Sequence, residues 1–315
     1  MTPSLAPSKL SETARGILYK IISAMIFTGM LTLVKIVGER VPVGQILFSR
    51  NFFGAIPVLI VMAYSGSLRS AFKTDKPFSH IARAMAGMFA MGLWFSALQR
   101  LSFPEATAIV YAAPLMMVAL AAIVLGERVR MYRWTAVAVG MAGVLVILTP
   151  QIRTGFDVTS DAKSLGALLA LGCAVFMAIA ATTVRQLSKT EGTTTIVIYF
   201  LLAGSAVTAL TAPTWVMPTP LDAAMLVMIG ILGGCGQLVL TQAYHHAEAS
   251  LIAPFEYTSM IWVVLIGYFV FAEVPSAAVL GGAAIVIASG IFVIFRERQL
   301  GLERKERKVG VPLRP

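Results

Sequence analysis

The chain of 315 residues is 58% hydrophobic and only 13% charged, against roughly half and a quarter in soluble domains, which excludes an ordinary water-soluble fold. Its formal charge of +10 falls in segments between apolar runs and needs no nucleic-acid partner. Two cysteines, Cys173 and Cys235, lie inside apolar runs with no CxxC or Cys/His spacing, so neither a disulfide framework nor a zinc site is implied.

Residues 1–15 are polar. Beyond them come stretches of about the 20 residues that cross about 30 Å of hydrocarbon as a helix. They lie near 16–38, 43–63, 81–99, 104–125, 132–149, 165–186, 194–212, 221–243, 251–271 and 277–296. The first is long and has no small-residue cleavage site behind it, so it reads as a retained span and not a removed signal. The pattern predicts an all-α integral membrane protein of ten spans, with its longest connections at 64–80 and 150–164. Residues 297–315 form a basic tail, expected against anionic lipid or simply solvated.

The two halves repeat one another. At an offset of 146, Ala97 meets Ala243, Tyr111 meets Tyr257 and Glu127 meets Glu273; one inserted residue later, Gly143 meets Gly290. At an offset of 150, Gly16, Ala24, Thr32, Val34 and Lys35 meet Gly166, Ala174, Thr182, Val184 and Arg185. The repeats are therefore 16–149 and 165–296, and 150–164 is the hinge between them. Five spans per repeat bring the chain into the second half from the opposite face, so the repeats are inverted.

Charge agrees with that orientation. With both termini in the cytoplasm, the inner segments hold Lys9 and Arg15; Arg69, Lys73, Lys76 and Arg83; Arg128, Arg130 and Arg133; Arg185 and Lys189; and the tail from Arg296. Outside there remain Lys35, Arg40, Arg100, Arg153 and Lys163, a strong positive-inside bias. GERVRMYR after span 4 becomes AEVPSAA after span 9, so the repeats differ in the property that sets orientation.

Small residues mark helix contacts at Gly87 and Gly92, at Gly140 and Gly143, and at Gly281, Gly282 and Gly290. In span 8 Gly230, Gly233, Gly234 and Gly236 fall within seven residues, so that helix is expected to bend or loosen, with close packing as the second reading. Pro114 and Pro254 interrupt spans 4 and 9, and each removes a backbone hydrogen bond that hydrocarbon cannot replace. Pro114, Pro254, Gly233 and Gly234 are the expected hinge or gating positions.

The proline in span 4, Leu125-Gly126-Glu127 at its close, and the glycine-rich span 5, recurring around Glu273, resemble the ten-span drug/metabolite transporter superfamily with paired EamA domains. The resemblance covers residues 16–296. It implies a central cavity opened alternately to each face. The second copy departs from the pattern with AE in place of LGE, and with Pro254 displaced from the position matching Pro114.

An ionisable group within a membrane is a functional candidate by default. Glu256 lies in span 9 beside Pro254 and Tyr257, opposite the apolar Val110 of the other repeat; it could take up a proton, hold a cationic or hydrogen-bonding group, or pair with His245 or His246. Arg50, between Ser49 and Asn51 and roughly 10 Å into span 2 by helical rise, could hold an anion, pair with Glu105, or snorkel outward. Lys35 and Arg185 suit gates or interfacial anchors. Glu127 and Glu273 read as structural, accepting backbone N–H groups and complementing the next helix dipole. Tyr111 and Tyr257, with Trp94 from span 3, are the expected aromatic contacts for substrate; Phe95, Tyr199, Phe200, Tyr244 and Trp262 belong to the same aromatic set.

These features predict a secondary transporter of a small amphipathic metabolite in the bacterial inner membrane. No Walker motif makes ATP its direct fuel, and no cofactor is called for. Uptake of a vitamin-like or nucleoside-like compound such as riboflavin suits the aromatic rings, S-adenosylmethionine suits Glu256, and amino-acid or drug efflux stays open. An integral-membrane enzyme would need clustered His, Asp or Ser, whereas the histidines are His80, His245 and His246, without HExxH. The expected partners are the small-molecule substrate and membrane lipid, with proton coupling and a homodimer left open.

Overall fold

The computed structural model describes residues 12–66, 72, 74–124, 131–153, 155, 157, 161–187, 190–246 and 253–309. All regular structure among them is helical. In chain order the helices are α1 Glu12–Val37, α2 Val43–Tyr64, α3 Pro77–Leu98, α4 Phe103–Val110, α5 Ala113–Val124, α6 Met131–Ile147 and α7 Thr149–Arg153. The second half continues with α8 Ala162–Leu187, α9 Thr193–Ala209, α10 Pro220–His246, α11 Ser259–Phe271 and α12 Ala277–Val309, with short 3-10 turns at Ala212–Thr214 and Ala253–Thr258. Six helices are long and apolar enough to cross a membrane, in α1, α2, α3, α8, α10 and α12, and shorter apolar helices lie in α6, α9 and α11.

Lipid and protein are equally apolar, so the bundle sorts side chains by size more than by polarity. Large residues such as Phe269, Leu265, Phe292 and Leu145 stand exposed. The interior is rich in alanine, with Ala97, Ala106, Ala108, Ala167, Ala170 and Ala174 all shielded.

The two halves interleave. α10 packs on both α1 and α2, α3 packs on α8 and α9, α9 also packs on α2, and α6 packs on α12. Hydrogen bonds sort the helix ends into two groups. At the near end, where α1 begins, His246 meets Glu12 and Thr74 meets Glu191. At the far end Arg40 meets Asp222, and Gln45 exchanges two hydrogen bonds with the backbone of Val216.

The glycines of span 8 serve a close crossing. α10 runs from Pro220 to His246 without a break, so the loosening expected at Gly233 and Gly234 is not seen. A Cβ on Gly234 would meet the carbonyl oxygen of Gly54 and the ring of Pro57, and one on Gly230 would come within 2.7 Å of Ser49 O. Close packing is therefore what this cluster does here. Gly143 and Gly282 make a second close contact, where a Cβ on Gly143 would lie 2.9 Å from Gly282 O.

Gly234→Val is expected to destabilise the protein by about 1–3 kcal/mol or more through overpacking against backbone, read as a lower melting temperature in detergent. Gly281→Ala, with nothing within 4 Å of the new Cβ, should melt as wild type.

Candidate functional site

The stretches predicted as spans 4 and 9 both contain segments that are not regular α-helix among the described residues. α4 stops at Val110, Tyr111 and Ala112 turn, and α5 starts at Ala113. Pro114 has no N–H to give to Val110. Ala112 N–H bonds Ile109 O at 3.0 Å in a tighter turn, and Met116 N–H resumes on Ala112 O at 2.9 Å. The Pro114 ring itself is exposed. In span 9 the irregularity is a 3-10 turn over Ala253–Thr258 leading directly into α11. Pro254 lies in that turn; its side chain lies outside the described residues, as do Leu125, Gly126 and Glu127 and the side chains of Arg185, Tyr244 and His245.

The two interruptions face each other. Tyr111 and Tyr257 meet edge to face, with centroids 5.1 Å apart and planes at 89°, an arrangement favoured by the aromatic quadrupole. Both rings are buried, so they point into the protein and away from lipid. Ser259 Oγ donates to Glu256 O at 2.7 Å, which leaves the Tyr111 hydroxyl to donate to Ser259 Oγ at 2.6 Å. Gly290 of α12 makes room for the Tyr257 hydroxyl, since a Cβ there would overlap it. Trp94 is half-buried and packs against the same core.

Glu256, in the 3-10 turn, pairs with Lys20 of α1. A pair with His245 or His246 was one of the sequence alternatives. His246 instead sits 2.6 Å from Glu12 and stacks on Tyr19, and its hydrogen bond holds the Glu12 carboxyl below the usual carboxylate range. Lys20 escaped notice in the sequence although a lysine inside span 1 was itself a signal. Its side chain is 4% exposed while that of Glu256 is 54% exposed, so one partner is buried and the other faces open space.

At the far end Lys35 Nζ lies 3.1 Å from Glu273 and donates to the carbonyls of Leu98 and Leu101 at 3.1 and 2.8 Å. Glu273 also accepts the Phe103 N–H at 2.7 Å. Phe103 opens α4, so this carboxylate satisfies one of the donors that every helix start leaves unpaired. Glu273 thus accepts a backbone N–H, as expected of a structural glutamate, and the donor belongs to a helix of the other half. Beside this cluster Asp222 bonds Arg40 at 2.7 Å and raises the Arg40 pKa. A cleft of about 1320 Å³ opens at this end and is lined by Glu105, Gln151, Asp161, Lys163 and Glu273, but by none of the tyrosines and not by Arg50.

Arg50 neither snorkels nor meets Glu105. It is 2% exposed, and Glu105 is engaged by Gln151 at 2.7 Å. Arg50 Nη1 donates to Asn51 Oδ1 at 3.0 Å, while its guanidinium carbon lies 5.4 Å from the Phe200 ring centroid. Arg83 lies over the same ring at 4.4 Å. Counted from sequence among the charges of an inner connection, Arg83 in fact turns inward. Gly233 leaves space for Arg50, and Gly87 for Arg83 against Phe200. Among the described residues neither arginine pairs with a carboxylate, and Arg50 Nε, Arg83 Nε and Arg83 Nη1 have no hydrogen-bond partner. A cation–π contact contributes about 0.5–2 kcal/mol, less than the ~3–5 kcal/mol at stake when a buried charge lacks its counter-ion.

Among the described residues no group of His, Cys, Asp and Glu could hold a metal ion. The model of the EamA-like transporter family matches residues 14–149 and again 164–296. An S-adenosylmethionine uptake transporter of Rickettsia prowazekii is 27% identical over 84% of this chain and 87% of its own. A pseudopaline exporter of Pseudomonas aeruginosa is 27% identical over 88% and 94%, and a riboflavin transporter of Vibrio cholerae 29% identical over 81% and 84%. A solved crystal structure, 21% identical, covers 90% of this chain and 97% of that one with a TM-score of 0.65, which shows a shared fold.

Tyr111→Phe should lower stability by about 1 kcal/mol through the lost hydrogen bond to Ser259, and Tyr111→Ala by about 3–5 kcal/mol through the cavity left beside Tyr257. Detergent melting curves of the two variants check this order.

Proposed function

The chain belongs to the EamA-like transporter family, and we propose that it is a secondary transporter carrying a small amphipathic organic metabolite across the bacterial inner membrane by alternating access. The meeting of two interrupted spans at the Tyr111–Tyr257 pair carries this reading. Broken helices at the interface between halves are where transporters of this build place substrate.

The packing supports ten spans in two inverted repeats, 16–149 and 165–296, with α4 and α5 forming one span and the 3-10 turn plus α11 another. The main cross-half contacts have exchanged counterparts. α1 on α10 mirrors α8 on α3, and α11 on α1 mirrors α5 on α8, while α2 with α9 and α6 with α12 map onto themselves. With both termini cytoplasmic, the far end faces outward. The Lys35–Glu273–Phe103 cluster then lies on the outer side, beside the cleft, and the exposed carboxylate of Glu256 faces the inner side. The Lys20–Glu256 pair is placed to couple transport to a proton, since protonating Glu256 would release the lysine.

A vitamin-like or nucleoside-like compound suits the aromatic pair. The relatives named for riboflavin and for S-adenosylmethionine bracket a neutral and a charged member of that class. Amino-acid or drug efflux by the same fold is the alternative.

Purified protein in proteoliposomes should accumulate such a substrate down an imposed proton gradient, and Glu256→Gln should cut the rate at least tenfold with normal membrane expression; unaltered flux across pH 5–8 would remove Glu256 from coupling. Single-cysteine labelling should find residues 126 and 272 on opposite faces and both termini on one. Labelling of both loops from the same side would end the inverted arrangement.

A further inference from the structure

The geometry points to a binding site for the anionic group of the transported metabolite at the guanidinium groups of Arg50 and Arg83, which share the Phe200 ring. This rests on the transport reading above and narrows the substrate to a molecule bearing a carboxylate or a phosphate.

Two positive charges in a low-dielectric interior repel each other and lose their hydration. Proteins that bury charge supply a counter-ion or a full set of hydrogen bonds. Here Arg50 has one side-chain hydrogen bond, to its neighbour Asn51, and Arg83 has none among the described residues. Phe200 attracts both cations but adds no net negative charge. Asn51 is itself held by Leu47 O at 2.8 Å, so it positions Arg50 and does not neutralise it. Three guanidinium nitrogens remain without partners in buried surroundings. A carboxylate or phosphate is the group that would satisfy both forks at once, because its oxygens accept paired N–H bonds.

The location is consistent with substrate more than with scaffold. Arg50 and Arg83 come from α2 and α3 of the first half, whereas Phe200 in α9 and Gly233 in α10 belong to the second. Arg50 lies seven residues from the far-end start of α2, and Arg83 and Phe200 lie six and seven residues beyond the near-end starts of their helices, so the three converge towards the middle of the bundle. A purely structural arginine would be expected to reach a carboxylate or a helix C-terminus. Gly87 and Gly233 let the guanidinium groups lie directly against the backbone of their helices, where a Cβ would meet Arg83 Nη1 and Arg50 Nε.

The test uses the full chain in lipid nanodiscs and follows melting temperature against probes that differ in one group: S-adenosylmethionine against its decarboxylated form, flavin mononucleotide against riboflavin, and acetate and inorganic phosphate alone. At least one anionic member should stabilise the wild type, with its neutral or decarboxylated counterpart at least tenfold weaker. Arg50→Gln and Arg83→Gln should each weaken that binding at least tenfold, while Arg83→Lys should recover part of it. The carboxylate and phosphate arms separate the two ligand chemistries. Equal binding of both members of each pair, no stabilisation by any anion, or unchanged binding in both glutamine variants would overturn the site. Should Arg50→Gln fail to fold, Arg83→Gln carries the same comparison. Flux in proteoliposomes is read separately: anion binding without flux keeps the site and ends the transport reading, whereas flux that ignores the anionic group does the reverse.

Discussion

Hydrocarbon offers no hydrogen bonds, so each polar atom placed within the bundle must be answered by another protein atom. Much of this structure follows from that constraint. It is why the threonines and serines of the helices turn back on carbonyls one turn earlier, as Thr28 does on Ala24 and Thr107 on Phe103. It is also why the start of α4 is capped by a carboxylate from the other half of the chain. Among the described residues, Arg50 and Arg83 are charged side chains with guanidinium nitrogens that no protein atom answers.

A second consequence concerns how the halves are joined. With lipid as apolar as the interior, helices associate by close approach of small residues and by polar pairs, and both are found chiefly between halves. Gly230 and Gly234 of α10 lie against Gly54 of α2, and Gly143 of α6 against Gly282 of α12. Lys35 reaches Glu273 and Lys20 reaches Glu256. The halves are thus interleaved through these contacts. Separation of one complete half from the other would break them.

The interrupted spans combine the two themes. Pro114 takes a donor away from α4 and α5, and the chain replaces it with a tighter turn that leaves Tyr111 at the break. Its repeat mate Tyr257 arrives from a 3-10 turn of different geometry. Two unlike breaks bring two like rings together at 5.1 Å, and the asymmetry leaves one acidic residue, Glu256, on one side only.

Composition and periodicity by themselves determined the class of structure, because a 20-residue apolar run has few fates other than a helix in lipid, and the offset of about 150 residues between like segments required similar units. The break near Pro114 was equally legible, since proline removes a specific donor wherever it stands. Partner choice was not. Glu256 has several bases within reach along the chain, and only the packing of α1 against the 3-10 turn selects Lys20. Arg83 counts as a loop charge in one dimension, and its Nε and Nη1 are shielded only where α9 brings Phe200 against it. The glycines of span 8 read as a weak helix until α2 is seen lying across them. Local sequence sets which bonds a segment can make to itself, while the answer to a lone charge or a bare glycine comes from a helix far along the chain, and that depends on the fold as a whole.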